Sequence, residues 1–469
     1  MACVIAAPSS GSGKTLVSLL LAAWARCRKL NLQPFKVGPD YLDPQLLSTA
    51  AGRPCRNLDP VLCGPGWVKR SFHGFGGAAD LALVEGVMGL FDGLGVSEEG
   101  STAAVAALLN LPVVLVVDGS GQAASLAALV KGFRDHDPNI HLAGVVLNRV
   151  SSPRHRELLT EVLEGIGIKL LGCLPRHAQL ELPSRHLGLA PAHELVDQEP
   201  HLNAWCALAE AHLDLESFRP LLRAPAAAAD PIQGILPESQ RNERNVARQR
   251  PLPVAVAEDE AFHFRYPETR ELLEAMGMPV VAWRPLDNEA IPSEARGLML
   301  PGGFPEQHAS RLSQCSRSLE SIRNWYGQRP IYAECGGMLL LGRSLTDLQG
   351  EPHSMAGVLP FEASKGNLQV GYRKMSSTAD GLVVRQGDHL SGHEFHRWQL
   401  NREFPVQEQP TLQALWQVDG WRTRPREEGW GNQTIHASWA HLHWASCSTI
   451  CCRWRAALEA VRIPSRVTT

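Results

Sequence analysis

Cys3-Val4-Ile5-Ala6-Ala7-Pro8-Ser9-Ser10-Gly11-Ser12-Gly13-Lys14-Thr15 is an apolar run, a glycine-serine turn and a Gly-Lys-Thr triplet, and amphipathic Leu16 to Arg28 follows it. A short apolar run bounded by turn residues reads as a buried strand, and the periodic segment after it as a helix. In that order the three pieces make a phosphate cradle. Backbone N–H groups of the turn and the positive end of the helix converge on anionic oxygens. Gly11, Ser12 and Gly13 form the cradle, Lys14 reaches the terminal phosphates of a nucleotide, and the Thr15 hydroxyl is a ligand for Mg²⁺. The strict pattern has glycine five residues before Gly13, where this chain has Pro8.

Outward from this loop, from Cys3 to about Leu174, short apolar runs alternate with longer amphipathic segments, as in βαβ units building a parallel sheet. Strands are expected at Cys3 to Ala7, Pro34 to Val37, Leu81 to Glu85, Val113 to Asp118 and Leu142 to Leu147. Between about Phe218 and Pro253 the composition turns to Ala/Pro and then to a polar run, which reads as a linker. A second alternation follows, with strands at Val254 to Ala257, Pro279 to Trp283, Leu298 to Leu300 and Ile331 to Ala333. The expected fold is α/β in two domains, a P-loop parallel-sheet domain over 1–217 and a second α/β domain over 253–469, joined by a linker over 218–252. A chain of 469 residues exceeds what one hydrophobic core usually serves.

Two acidic clusters fall just beyond expected strand ends, where parallel sheets present ligand contacts. They are Lys36-Val37-Gly38-Pro39-Asp40-Tyr41-Leu42-Asp43-Pro44 and Glu85-Gly86-Val87-Met88-Gly89-Leu90-Phe91-Asp92-Gly93. Mg²⁺ at a phosphate takes one or two protein carboxylates, and Asp40 and Glu85 are the candidates. Aspartates there also serve as helix caps and turn residues, and for Asp43, before Pro44, the two readings balance.

In Ile331-Tyr332-Ala333-Glu334-Cys335-Gly336-Gly337-Met338 an apolar strand runs into Cys, two glycines and an apolar helix. A sharp strand-to-helix turn pushes the side chain out of the sheet, and the helix N-terminus favours a thiolate, so Cys335 is the candidate nucleophile. Pro301-Gly302-Gly303-Phe304 is a second strand-plus-glycine turn, and its Gly303 N–H with that of Gly336 is a candidate oxyanion hole. The base is expected among the histidines of Ser438-Trp439-Ala440-His441-Leu442-His443-Trp444. Cys447, Cys451 and Cys452 lie close to those histidines, but the spacing matches no zinc pattern. Gly392-His393-Glu394-Phe395-His396 is histidine-rich too, as a structural turn or a substrate-facing one.

A net charge of −3, from 45 basic and 48 acidic residues, gives no basic stripe, so neither nucleic acid nor a membrane surface is an expected partner. Eleven cysteines in so long a chain lack the density of a secreted disulfide framework, and they read as cytoplasmic thiols. Its longest apolar stretch, Ala103 to Val117, is broken by Asn110 and Pro112, and no membrane span or export signal is read.

Taken in order, the phosphate loop, Lys-Val-Gly-Pro-Asp-Tyr-Leu-Asp-Pro, Glu-Gly-Val-Met-Gly-Leu-Phe-Asp-Gly, Pro-Gly-Gly-Phe-Pro-Glu, Glu-Cys-Gly-Gly-Met and His-Leu-His-Trp resemble the cobyrinic acid a,c-diamide synthase family of cobalamin biosynthesis. The N-terminal half is similar to dethiobiotin-synthetase-like ATPases, and the C-terminal half to class I glutamine amidotransferase domains. This resemblance implies three small-molecule substrates, cobyrinic acid, L-glutamine and ATP, with Mg²⁺. It implies that Cys335 attacks the glutamine carbonyl, that His443 raises the nucleophilicity of the thiol, and that the ammonia released displaces phosphate from a corrin acyl phosphate, twice. Carried over by motif, Asp40, Glu85 and Thr15 hold Mg²⁺, Tyr41, Leu42 and Asp92 lie near the corrin carboxylates, and Asn148 resembles the adenine-reading asparagine. A homodimer is the assembly considered.

Many class I glutaminases carry a glutamate two residues after the histidine, and after His443 that position is Ala445. Either another residue orients the base or the pair works as a dyad. Cobyric acid synthase shares both domains but differs from the Gly-Pro-Asp-Tyr-Leu-Asp-Pro stretch, a nickel-sirohydrochlorin amidating enzyme shares the motifs, and these residues do not separate cobyrinic from metal-free hydrogenobyrinic acid as the acceptor. Two readings of another class are a P-loop switch with a non-catalytic C-terminal domain and a Cys hydrolase gated by ATP. The first predicts missing Cys and His positions, which are present, and the acidic clusters argue against the second.

Overall fold

The computed structural model describes residues 2–176, 184–185, 188–189, 198–236, 251–401 and 411–461. It divides into two compact units, Met1–Pro231 and Ile232–Thr469. Phe218 and Leu222 are buried in the core of the first unit, and most of the polar run, 237–250, lies outside the described residues.

The first unit is built on seven strands: β1 (Cys3–Ala6), β2 (Leu32–Val37), β3 (Arg56–Leu58), β4 (Leu81–Glu85), β5 (Val113–Asp118), β6 (Leu142–Val150) and β7 (Leu170–Pro175). They pair in the order β3-β2-β4-β1-β5-β6-β7, all parallel. Helices cover both faces, so the strands are apolar on both sides: every residue of β1, and Val113 to Val117 of β5, is buried. One face packs Leu16, Leu20 and Trp24 of α1 (Lys14–Cys27) with Leu46 and Leu47 of α2 (Leu42–Ala51); the other packs Phe35, Phe72 and Leu115. Strands β3 and β7 went unread in the sequence, while the others lie where the alternation put them, β6 running on to Val150. A short ladder joins β8 (Ser184–Arg185) to β9 (Gly188–Leu189).

This strand order positions the first site. β1 sits between β4 and β5, and β2 beyond β4, so the loops leaving the carboxyl ends of β1, β4 and β2 emerge side by side. They are the phosphate loop and the two acidic clusters.

In the second unit β10 (Val254–Ala257), β11 (Val280–Trp283), β12 (Gly297–Leu300), β13 (Ile331–Glu334), β20 (Trp430–Gly431) and β21 (Ile435–Ser438) pair in the order β11-β10-β12-β13-β21-β20. All pairs are parallel except β20 with β21. A further, mostly antiparallel sheet of β14 (Ser344–Thr346), β15 (Pro352–Ser354), β16 (Glu362–Ser377), β17 (His389–Leu400), β18 (Trp416–Asp419) and β19 (Arg426–Glu428) was not anticipated. Its longest strand, β16, exposes apolar Leu368 and Val370 along with Lys365, Asn367 and Lys374 and has few buried residues, so its periodicity is weak. The adjacent strands β12, β13 and β21 end at the glycine turn, at Cys335 and just before His441.

Candidate active sites

In the first unit the turn after β1 delivers Gly13 as the residue capping α1, with φ of 114°. A side chain there would run into Asn148 Nδ2, so the position takes glycine on two counts. Asn148, on β6, donates to the Ser12 carbonyl at 2.9 Å and braces the loop, while its Oδ1 accepts from the Arg149 N–H. Lys14 Nζ donates to the Met88 carbonyl at 2.5 Å, and Thr15 Oγ1 donates to Glu85 Oε1 at 2.7 Å. Burial and then the neighbouring Lys36 ammonium push Lys14 down to about 8.

Lys36, unremarked in the sequence as a functional residue, is the hub of the acidic clusters. Its buried ammonium donates to Asp43 Oδ2 at 2.5 Å and to Glu85 Oε1 at 2.8 Å, and stands 3.8 Å from Asp40 Oδ2. Burial raises Glu85, opposed by Lys36; burial also works to raise Asp43, but Lys36 outweighs it and holds that carboxyl low. Asp40 is pushed up to about 7 by burial and by the Asp43 charge. Asp40 Oδ1 accepts from the N–H groups of Leu42 and Asp43, at 2.8 and 3.2 Å, and so closes the start of α2. Tyr41 and Leu42 are buried at that helix start, and Asp92 Oδ2 accepts from the Gly89 N–H at 2.7 Å. The donor set fits Mg²⁺. Glu85 Oε2 is buried without a hydrogen-bond partner among the described residues, and the Thr15 hydroxyl already meets the same carboxylate.

In the second unit Cys335 sits between β13 and the helix Gly336–Leu339 with φ 46° and ψ −114°, a strained turn that only a sharp strand-to-helix elbow imposes. Its N–H is fixed by the Ser438 carbonyl at 2.7 Å, and its Sγ lies 3.9 Å from the Phe395 carbonyl of β17. Gly336 and Gly303 lie backbone to backbone: a Cβ on Gly336 would stand 2.9 Å from the Gly303 oxygen and 3.1 Å from its nitrogen.

The histidine that hydrogen-bonds Cys335 is His441. His443, named from the sequence, turns instead to Glu268, whose Oε2 is 3.6 Å from its Nε2, and stacks on Tyr266 at 4.3 Å between ring centroids. The backbone sets this choice. His441 exchanges both backbone hydrogen bonds with His393, at 2.8 and 3.0 Å, and its ring lies over Gly302, where a Cβ would clash with Cε1. Burial pushes the His441 imidazolium down, but the Cys335 sulfur and then Glu334 outweigh it and lift the group to about 10. Burial has the last word at His393, His396 and His436, which fall to about 3, 4 and 3.

Glu334, the residue before Cys335, also went unread in the sequence. Its Oε2 is 3.3 Å from His441 Nδ1, and its Oε1 accepts from Tyr332 Oη at 2.6 Å and from the Leu442 N–H at 3.2 Å. Alternation in β13 was the available signal, since Tyr332 and Glu334 must share a face. No cluster of three metal-ligating His, Cys, Asp or Glu side chains occurs among the described residues, Cys447, Cys451 and Cys452 included. No disulfide joins any of the eleven cysteines, all of which lie among the described residues, and no described helix is long and apolar enough to cross a membrane.

Residues 3–189 match the CobQ/CobB/MinD/ParA nucleotide binding domain, and residues 253–448 match the CobB/CobQ-like glutamine amidotransferase domain. Among curated proteins, cobyrinate a,c-diamide synthase of Gloeobacter violaceus is 41% identical over 452 residues, covering 95% of this chain and 94% of that one. The protein of the same name from Synechocystis is 38% identical over 466 residues, covering 98% and 94%. Hydrogenobyrinate a,c-diamide synthase of Streptomyces coelicolor is 41% identical over 475 residues, covering 94% of each chain. With both domains matched and two-fifths of its residues shared over nearly its whole length, the chain belongs to the cobyrinate a,c-diamide synthase family.

Proposed function

We propose that this protein is a glutamine-hydrolysing carbon–nitrogen ligase that amidates the a and c acetate carboxylates of cobyrinic acid at the expense of ATP, in cobalamin biosynthesis. The observation that carries the reading is a Cys335–His441 pair of glutaminase type on the same chain as a Gly-Lys-Thr phosphate loop.

In the second unit the Cys335 thiolate attacks the glutamine carboxamide carbon, and the N–H groups of Gly303 and Gly336 receive the oxyanion. His441, protonated beside the sulfur, gives its proton to the departing nitrogen, and ammonia leaves behind a thioester. Neutral His441 then takes a proton from water, which hydrolyses the thioester to glutamate and restores the thiolate. His441 replaces His443 in this role.

In the first unit the corrin carboxylate attacks the γ-phosphorus of ATP and ADP departs. Ammonia then displaces phosphate from the acyl phosphate, leaving the amide. The loop Gly11, Ser12 and Gly13 and the Lys14 ammonium bind the phosphates, with Asn148 holding the loop to β6; the adenine contact expected of Asn148 would use its second amide hydrogen. Thr15 and Glu85 would hold Mg²⁺, with Asp40 beside them, and the ion would neutralise charge on the phosphates. Asp92 and the start of α2 at Tyr41 and Leu42 are assigned to the corrin side.

The test is mass spectrometry of cobyrinic acid incubated with the protein, Mg²⁺-ATP and glutamine, beside Cys335→Ser given glutamine or ammonium. Two successive amide-forming mass changes, kept by the variant only with ammonium, support the reading. Unchanged cobyrinic acid while ATP and glutamine are consumed would move the acceptor to another tetrapyrrole, hydrogenobyrinic acid first.

A further inference from the structure

We infer that Glu334 orients and charges His441, so that the third member of the glutaminase constellation is the residue immediately preceding the nucleophile rather than one following the histidine. The inference rests on the glutaminase reading above. Two residues after His441 stands His443, which is engaged with Glu268, so the usual position holds no carboxylate.

The buried carboxylates of the second unit can be taken in turn. Glu394 is bound by Arg373 at 2.8 Å and by Arg426, and Glu428 accepts from Ser438 Oγ and the Trp439 N–H, both at 2.7 Å. Glu306 is buried and forms no ion pair with a histidine among the described residues, and Glu268 faces His443. Glu334 lies within ion-pair distance of His441. Its hold is double. One oxygen faces the imidazole Nδ1, and the other takes the Leu442 N–H, which fixes the backbone one residue beyond the histidine. The Tyr332 hydroxyl, itself held by Trp444 Nε1 at 3.3 Å, donates to that second oxygen and leaves the first to the imidazole.

The chemical consequence follows from placing a carboxylate at Nδ1. It keeps the proton there in the neutral ring, so Nε2 is the nitrogen that exchanges protons, and it stabilises the imidazolium when the ring is charged. Tethering this carboxylate beside the nucleophile on β13 makes the strand register, rather than a separate loop, set the distance between sulfur, imidazole and carboxylate.

The experiment compares full-length wild type with Glu334→Gln in three assays: glutamine hydrolysis, ammonium-dependent corrin amidation, and the rate of Cys335 alkylation by iodoacetamide as a function of pH. The expected result is a glutaminase kcat lowered by about 10² to 10⁴. KM for glutamine should stay within about threefold, ammonium-dependent amidation should persist, and the alkylation profile should move to higher pH, because an uncharged amide no longer supports the thiolate–imidazolium pair. An unchanged kcat with an unchanged alkylation profile overturns the inference. If Glu334→Gln fails to fold, ¹⁵N-histidine NMR of wild type decides: His441 carrying its neutral-form proton on Nδ1 supports the inference, and a proton on Nε2 overturns it. Wild type that hydrolyses no glutamine would instead remove the functional reading, so the two failures are told apart.

Discussion

Lys36 Nζ donates to Glu85 Oε1 at 2.8 Å with both side chains shut away from solvent, and Asp43 shares the same ammonium. Removing one partner of such a cluster leaves uncompensated buried charge. Lys36→Met should therefore cost about 3–5 kcal/mol of stability. Chemical denaturation followed by the fluorescence of Trp24 and Trp67 reads it; an unmoved midpoint would mean that the cluster is not formed in solution.

Glu85→Gln should suppress amide formation by about 10²-fold or more with glutamine and with ammonium alike, since the carboxylate proposed to hold Mg²⁺ loses its charge. A chelator such as EDTA should do the same to wild type, reversibly. Product mass with each nitrogen source checks both, and amidation that survives in either would remove Mg²⁺ at this site from the proposal.

The two histidines of the His-Leu-His segment should separate cleanly. His441→Asn is expected to lower glutamine hydrolysis by about 10²- to 10⁴-fold while ammonium-dependent amidation continues. His443→Asn is expected to keep glutamine turnover within about threefold and to lose about 1–3 kcal/mol through its buried contact with Glu268. The reverse pattern in a glutaminase assay would return the base to His443.

The pH dependence follows from the sign of the His441 shift. The group is lifted to about 10, so its imidazolium persists across the neutral range and is lost as pH rises through that value. Glutamine hydrolysis should thus be level through neutral pH and fall on the alkaline side, as the proton needed by departing ammonia disappears. The favourable contribution of the charged ring to stability is likewise complete below its ordinary value and lost in the same alkaline window. A glutaminase limb falling near neutrality would contradict the pairing with Cys335.

Gly302→Ala tests the backbone cradle of the base. Its Cβ would meet His441 Cε1, and the ring must move to accommodate it. Misplacing a catalytic group by an ångström costs about 10²-fold, so kcat for glutamine should drop by that order with ammonium use retained. Steady-state kinetics with both nitrogen donors measures this.

Several elements of the sites were legible because their signals are local. The phosphate loop, its strand and α1 are adjacent in sequence, and Gly13 is demanded by the turn itself. Cys335 announced itself by standing between an apolar strand and two glycines. Lys36 and Glu334 did not, since a lysine or glutamate at the end of a strand looks like any solvated charge until the neighbouring strands are placed. His441 and His443 are two residues apart in a segment with no periodicity to separate them.

By itself, then, the sequence determined the α/β class, most of the strands of both parallel sheets, the glycine-lysine-threonine turn after β1, the place of Cys335 between a strand and two glycines, and the family resemblance, all of which depend on residues near one another in the chain. Tertiary structure alone decided which histidine meets the sulfur, which carboxylate meets that histidine, and that an ammonium stands among Asp40, Asp43 and Glu85. The reason is that strand order is a long-range outcome: β13 lies beside β21 and β4 between β1 and β2, and only those pairings bring side chains from distant segments within hydrogen-bond reach.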